Sequence, residues 1–398
     1  MSTDGTGRAP GADAPSQPEG EAKPSDIGRE PGGEAGAQSA PRSSTPPAPR
    51  ASADNIVPPT AEQIARAAEL LRAGELVGMP TETVYGLAAD ASNVAAVARI
   101  FAAKGRPSDH PLIVHLPDRG HLPRWARAIP KEALALARAF WPGPLTLILK
   151  REDRVPDAVT GGQDTVGLRV PNHPVALALL AAFDSGIAAP SANRFGRISP
   201  TTAAHVRDEL GDNVALILDG GSCEVGIEST ILDLSRETPV ILRPGAISAA
   251  DIARVIGGSP EVRAAVEGAA EGEPSRQDSD GKPRVSGSLA AHYAPRTPLQ
   301  IAPSARLAET AATLAGEGSR VAVLAHAAAD PRDARLIWRA APADAAAYAR
   351  ELYANLRELD ALGADFIVVE APPDTAAWQA IADRLGRAAV GSGEADET

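Results

Sequence analysis

The stretch "SNVAAVARIFAAKGRPSDHPLIVHL", residues 92–116, decides the fold. Its first part is an alanine-rich apolar run that reads as a helix, opened by Ser92 or Asn93 as N-cap and closed by Gly105. Its last six residues, PLIVHL, read as a buried strand. A helix handed to a buried strand by a short loop is the repeating unit of an α/β protein. The loop carries an unusual load: Lys104, Arg106, Asp109 and His110 crowd around Pro107 and Pro111, and His115 follows in the strand.

The same alternation extends on both sides. Upstream, residues 58–76 place Ile64, Ala67, Ala68 and Leu71 at helical spacing behind Thr60 as N-cap, and LVGMP follows as a strand. Downstream, helical KEALALARAFW, HPVALALLAAFD and TTAAHVRDELG alternate with strand-like LTLILKR, TVGLRVP, GIAAPSAN, VALILDGG, STILDLS and PVILRPG. This predicts an α/β domain over residues 56–257. Residues 258–298 are rich in Gly, Pro, Glu, Asp and Ser and read as a linker. RVAVLAHAA and DFIVVEAPP are strands, and residues 344–363 and 375–389 helices, of a smaller α/β domain over 299–392. Residues 1–55 hold almost no large apolar side chain and are expected to be a disordered tail.

Composition narrows the function. The chain has 398 residues, enough for about two domains, and a formal net charge of −12. Residues 1–55 carry 5 Lys/Arg against 8 Asp/Glu, residues 56–257 carry 20 against 22, and residues 258–398 carry 14 against 21. The larger domain is near neutral, so an anion site there meets no strongly negative background. The acidic balance argues against a nucleic-acid coat or a membrane-surface binder. Cys223 is the only cysteine, so there is no intrachain disulfide and no cysteine-built metal cage. Without a secretory segment or a long apolar span, a cytoplasmic location is expected, with no membrane partner.

Four polar groups sit at the ends of these strands, where open α/β sheets bind ligands. Thr81, Glu82, Thr83 and Tyr85 either bind a small polar ligand or form a hydroxyl-capped turn. Lys104 and Arg106 suit the end of a helix dipole, but with His110 and His115 close by and prolines stiffening the loop they also form an anion or nucleotide pocket. Arg169 lies between Leu168 and Val170 in an apolar strand. A buried arginine needs a partner: an internal carboxylate such as Asp90 or Asp219, or a substrate carboxylate. The fourth group is Ser191, Asn193 and Ser199 on tight loops, with Arg243 ending a strand. The sequence has no G-x-x-x-x-G-K-[ST] and no strand-linked G-x-G-x-x-G, and no Cys/His grouping or H-E-x-x-H for a metal. Cys223 lies in a Gly-rich stretch with no base partner in view. These residues describe an ATP- or phosphate-handling enzyme with an added carboxylate pocket, working by positioning and charge stabilisation.

The strings PTETVYGLAADA, KGRPSDHPLIVH, FWPGPLTLIL, GLRVPNHP, APSANRFGRISPT, GIESTILDL and ILRPGAI, in this order, resemble the YrdC/Sua5 family over residues 57–250. SGSLAAHYAP and the 353–389 region resemble the longer, two-domain Sua5 type. The resemblance implies a YrdC-like twisted sheet domain with helices, followed by a smaller Rossmann-like α/β (Sua5) domain. It implies a nucleotidyltransferase, a threonylcarbamoyl-AMP synthase. Threonine and bicarbonate form a carbamate that attacks the α-phosphate of ATP and expels pyrophosphate, and Mg²⁺ accompanies the ATP. Downstream threonylcarbamoyl transferase proteins would pass the group to adenosine 37 of tRNA, making t6A.

The same resemblance implies residue roles. Thr83, His115, Arg169 and Ala189 fall at the threonine pocket, with Arg169 on the carboxylate. Arg106, His110, Thr165, Ser191, Ser199 and Arg243 fall at the ATP pocket, with Lys104 and Arg106 toward the phosphates as catalytic cations. Asn193 and Ser229 lie beside them, and Tyr293 is a lid residue of a linker that folds over the site. No protein metal site is implied. Ala189 stands where relatives often carry Thr, and SGSLAAHYAP replaces a linker that often reads SPGM…HYAP. Three other readings compete, one of them a regulatory protein that senses ATP or threonine without turnover. A double-stranded RNA-binding module fits the single-domain relatives but not this charge balance. A carbamoyl-adenylating role in hydrogenase maturation normally brings zinc segments that one cysteine cannot build.

Overall fold

The computed structural model describes residues 55–262, 283–287 and 289–393. The tail expected over residues 1–55 therefore lies outside the described residues except for Asn55, and so does most of the acid-rich first part of the linker.

Two sheets organise the described residues. The strands of the first are β1 (Ile56–Val57), β2 (Val77–Met79), β3 (Gly86–Asp90), β4 (Ile113–His115), β5 (Leu145–Lys150), β6 (Thr165–Arg169), β7 (Ile187–Ala188), β8 (Leu216–Leu218), β9 (Thr230–Asp233), β10 (Val240–Arg243) and β11 (Glu261–Val262). They lie in the order β1-β8-β2-β3-β7-β4-β6-β5-β9-β10-β11. The sheet is mixed. Parallel pairs such as β4/β6 and β5/β9 alternate with antiparallel ones such as β4/β7 and β5/β6. The helix Val94–Lys104 is capped by Asn93, whose side chain accepts from the N–H groups of Ala95 and Ala96, and ends on Gly105 in the left-handed conformation. Thr60 caps the helix Ala61–Arg72, which packs against Pro174–Phe183 through Ala67, Ala68, Leu71, Leu179 and Leu180.

At the start of the linker, β11 extends the first sheet by pairing with β10. The second sheet is all parallel, with β12 (Leu299–Ala302), β13 (Val321–Ala325), β14 (Leu336–Ala340) and β15 (Phe366–Glu370) in the order β12-β15-β13-β14. Helices Leu307–Gly316, Ala345–Asp360 and Gln379–Gly393 accompany it. Parallel strands need crossover connections; helices Leu307–Gly316 and Ala345–Asp360 supply those from β12 to β13 and from β14 to β15, while residues 326–335 join β13 to β14 without a helix. No helix among the described residues is long and apolar enough to cross a membrane.

The two sheets share one core where they meet. Leu352, Leu356, Ile381 and Leu385 of the C-terminal helices pack in one cluster with Val84, Ile198 and Ile227 of the first domain and with Tyr293 of the linker. Each such apolar side chain contributes about 1.5–3 kcal/mol when fully buried. At this junction Gly226 has φ +78, and a Cβ there would stand 2.4 Å from the Cα of Arg350. Both the backbone conformation and the close approach require glycine. Gly226→Ala is expected to cost about 2–4 kcal/mol and to lower the melting temperature by roughly 5 °C or more. An unchanged melting curve would contradict the tight junction.

Candidate active site

The site is a cleft whose walls come from seven places in the chain. Thr81, Thr83, Val84 and Gly86 come from the β2–β3 connection, Ile113 and His115 from β4, Arg169 from β6, and residues 189–191 from the loop after β7. Glu228, Ser229 and Arg243 come from the approach to β9 and the end of β10, and Ser286, Gly287, His292 and Tyr293 from the linker. Thus Thr83, His115, Arg169, Ala189, Ser191, Ser229, Arg243 and Tyr293 line one cleft. Thr165 lines a second, smaller cleft with Gln163, Arg284 and Ser286. Lys104, Arg106, His110, Asn193 and Ser199 stand behind these walls.

Register explains the innermost wall. His115 and Arg169 are Cα partners on the parallel strands β4 and β6, so the two side chains lie next to each other. Arg169 is only 4 % exposed. Its Nη1 donates to Thr83 Oγ1 at 2.9 Å and its Nε to the Gly143 carbonyl at 3.2 Å. Its Nη2 stands 2.7 Å from Glu82 Oε1. That last contact is an ion pair by distance without hydrogen-bond alignment, and both Glu82 oxygens lack a hydrogen-bond donor. Asp90 and Asp219 are therefore not the internal partners of Arg169. Each caps a turn, accepting from the Ser92 N–H and the Gly221 N–H respectively. Burial, followed by the Arg169 charge, takes His115 down to about 3, so it is a neutral imidazole at neutral pH. Its Nδ1 is buried without a hydrogen-bond partner.

On the opposite side, Arg243 ends β10 with its guanidinium against the turn before β9. Nε and Nη2 donate to the Ser229 carbonyl, Nη2 reaches Ser229 Oγ at 3.2 Å, and Nη1 donates to the Ser286 carbonyl at 2.8 Å. Ser229 Oγ also meets Thr146 Oγ1 at 2.8 Å. Burial is the main cause of the lowered pKa of Arg243. Glu228 is the one carboxylate on the cleft wall among the described residues. Burial pushes its carboxyl up, but Arg384, Arg243 and the Ser199 hydroxyl more than reverse this and bring it to about 2.

In the loop at residues 104–115 the cations meet backbone carbonyls and an aromatic ring. Lys104 Nζ is buried and donates to the carbonyls of Ser191 and Asn193, each at 2.5 Å. Burial, then the neighbouring Arg106 charge, holds its pKa well below the usual lysine value. Arg106 Nη2 donates to the Pro111 carbonyl at 3.1 Å, and the guanidinium carbon lies 5.9 Å from the Phe195 ring. Burial takes Arg106 to about 10, and its Nε has no hydrogen-bond partner. His110 meets the same ring edge-on at 5.4 Å, and burial, then Arg106, bring it to about 4. The Asn193 amide is spent on the carbonyls of Arg194 and Arg197.

Two singled-out residues have structural roles instead. The Tyr85 hydroxyl donates to the Gly221 carbonyl and accepts from the Gly220 N–H. Cys223 is buried, and burial pushes its thiol up, away from a reactive thiolate.

The linker is fastened across the cleft. Arg284 donates to the Asp109 carboxylate at 2.9 Å and to the Asp109 carbonyl at 2.8 Å, and its backbone exchanges hydrogen bonds with the Gln163 side chain. His292 and Tyr293 then meet edge-on at 4.1 Å, and the Tyr293 hydroxyl is buried with no hydrogen-bond partner. Sequence reasoning named Glu82 only as part of a polar group, and missed Glu228, Ser286 and His292 as wall residues. Glu228, inside the GIEST string next to Ser229, and His292, next to Tyr293, carried a local signal.

The comparisons with known proteins fit this geometry. A family model for Sua5, YciO and YrdC, described as "Telomere recombination", matches residues 69–245, and one described as "Threonylcarbamoyl-AMP synthase, C-terminal domain" matches residues 247–390. A threonylcarbamoyl-AMP synthase of Pyrococcus abyssi is 39 % identical over 328 residues, 81 % of this chain and 92 % of that protein. A namesake from Bacillus subtilis is 42 % identical over 334 residues, 83 % and 93 % of the two chains. The crystal structure of P. abyssi Sua5 complexed with L-threonine superposes with a TM-score of 0.76 at 38 % identity, covering 84 % of this chain and 96 % of that one. This chain therefore belongs to the Sua5/YciO/YrdC family, and it has the two-domain architecture with the Sua5 C-terminal domain.

The neutral burial of His115 and of His292, which burial also takes to about 3, has a pH consequence. Free histidine titrates near 6.5. Between pH 6.5 and 3 the unfolded chain therefore binds more protons than the folded one, and stability falls as pH is lowered through that window. From pH 7 to 5 these two residues together are expected to remove on the order of 4 kcal/mol. Denaturant unfolding at the two pH values measures it, and equal stabilities would contradict neutral burial.

Proposed function

We propose that this protein is a threonylcarbamoyl-AMP synthase acting on L-threonine, bicarbonate and ATP. The observation that carries the reading is a buried guanidinium, Arg169, on the wall of a hydroxyl-lined cleft that Arg243 and the linker also line, in a chain of this family. In this reading the threonine carboxylate pairs with Arg169, beside Thr83, His115 and the Ala189 backbone. Thr83 Oγ1 already receives an Arg169 N–H, so hydroxyl and guanidinium present themselves together. The planar fork of arginine suits a carboxylate.

The nucleotide occupies the side formed by Arg106, His110, Thr165, Ser191, Ser199 and Arg243, with Asn193 and Ser229 in the adjoining loops and Tyr293 over it. The threonine amine combines with bicarbonate to give a carbamate and water. A carbamate oxygen attacks the α-phosphorus of ATP, the bond to the β-phosphate oxygen breaks, and pyrophosphate leaves. Charge develops on phosphate oxygens, and fixed cations stabilise it without reorganising. Lys104 contributes in two ways: its ammonium fixes the Ser191–Asn193 loop through two carbonyls, and its positive charge stands behind the nucleotide side.

Mg²⁺ enters on the nucleotide phosphates in this reading. Among the described residues no three His, Cys, Asp or Glu side chains group as ion ligands. The wall carboxylate of Glu228 has both oxygens engaged. The side chains present thus do not form an ion cage, and none of the steps above runs through the metal. The product would be consumed by threonylcarbamoyl transferase proteins that modify adenosine 37 of tRNA. A cytoplasmic location follows from the supply of ATP and tRNA there.

Pyrophosphate release by the purified protein tests the reading. Release is expected to need ATP, L-threonine and bicarbonate together. ATP turnover that ignores threonine would reject it. Lys104→Ala is expected to lower turnover by roughly a hundredfold or more while the circular dichroism spectrum stays unchanged. An unchanged rate would remove Lys104 from the machinery.

A further inference from the structure

The nucleotide side of the cleft rests on the C-terminal domain through one buried carboxylate. Glu228 Oε1 accepts from Ser199 Oγ at 2.6 Å. Its Oε2 accepts from Tyr353 Oη at 2.9 Å and from Arg384 Nε at 2.9 Å. Tyr353 lies in the helix Ala345–Asp360 and Arg384 in Gln379–Gly393, 125 and 156 residues away in sequence. The Arg384 side chain is wholly buried. Its guanidinium carbon also lies 5.4 Å from the centre of the Tyr293 ring, and Tyr293 stacks on Tyr353 at 5.7 Å. One guanidinium of the second domain therefore touches both jaws of the cleft, the Glu228–Ser229 turn and the linker's Tyr293.

Other contacts run to the same loops. Arg357 donates to the Ile198 carbonyl and to Glu209, and Arg350 donates to the Glu224 carbonyl. Asp383 holds Arg384 and Arg387 from the far side.

We propose that Arg384 and Tyr353 are positioning residues for the nucleotide. They hold Glu228 so that Ser199, Ser229 and Tyr293 take their places around ATP, which makes the C-terminal domain a working part of the active site. This rests on the synthase reading above. A buried carboxylate with three donors is fixed in place. Removing one donor leaves it free to turn toward the cleft, where it repels the nucleotide phosphates. Threonine, held across the cleft by Arg169, loses nothing in the process.

Three variants of the full-length protein test this: Tyr353→Phe, which keeps the ring stack and removes one hydroxyl, Arg384→Met, and the double variant Arg384→Met/Glu228→Gln. ATP and L-threonine binding are measured separately by calorimetry, alongside KM and kcat for each substrate. Tyr353→Phe is expected to weaken ATP about tenfold and to leave threonine affinity within about twofold. Arg384→Met weakens ATP further. The double variant, which removes the unpaired buried charge, regains thermal stability but not ATP affinity.

Variants that melt earlier yet bind ATP as the wild type does would show a merely structural role and overturn the proposal. The same holds if threonine affinity falls in parallel with ATP affinity. Should Arg384→Met fail to fold, Tyr353→Phe and the double variant decide. A wild-type protein that binds ATP but makes no threonine-dependent pyrophosphate would reject the synthase reading alone. One that binds no ATP would reject both.

Discussion

The site depends on keeping the Arg169 guanidinium charged while it is buried. An unpaired charge in such a place is strongly disfavoured. The protein answers by converging Thr83, the Gly143 carbonyl and the Glu82 carboxylate on the guanidinium from two other segments. That convergence constrains the rest. The β2–β3 connection must pass over β6, β4 must lie beside it, and His115 must be neutral there. What remains is a cation on the cleft wall whose ion pair with Glu82 lacks hydrogen-bond alignment.

A second set of buried charges organises the other end. Arg243 is spent on the Ser229 turn and the linker, and Glu228 ties that turn to Arg384. The linker is fastened at Arg284 to Asp109, in the same loop that holds Lys104 and Arg106. Loop, linker and second domain thus share one electrostatic framework. Lys104 belongs to it as well, because its ammonium shapes the Ser191 loop. Rigid support of this kind matters for a reaction whose catalysis is positioning and charge stabilisation.

Much of this was legible in the residues, and the remainder has physical reasons for being hidden. Helix Val94–Lys104 and strand β4 declared themselves through a cap, a closing glycine and an apolar run. Strand β3 did not, since Gly-Leu-Ala-Ala-Asp is small, mostly buried on both faces and without alternation. β12, β14 and the helix Leu307–Gly316 in the second domain escape the reading, and β1 and β11 are only two residues long. The site's main residues stood in recognisable strings. The pairings between them did not show, because pairing is a property of topology. The Arg169 contact with Thr83 spans 86 residues and the Glu228 contact with Arg384 spans 156. Asp90 and Asp219 were reasonable partners by chain position, but turns had already taken them. Arg384 sits in a helix that reads as merely amphipathic, so nothing local marks its burial.

Calorimetric binding of L-threonine to the wild type and to Arg169→Met, without nucleotide, tests the central claim most directly. The account predicts saturable binding to the wild type and a loss of roughly a hundredfold or more in the variant, with the variant still folded by circular dichroism. Equal affinity in the two proteins would contradict it.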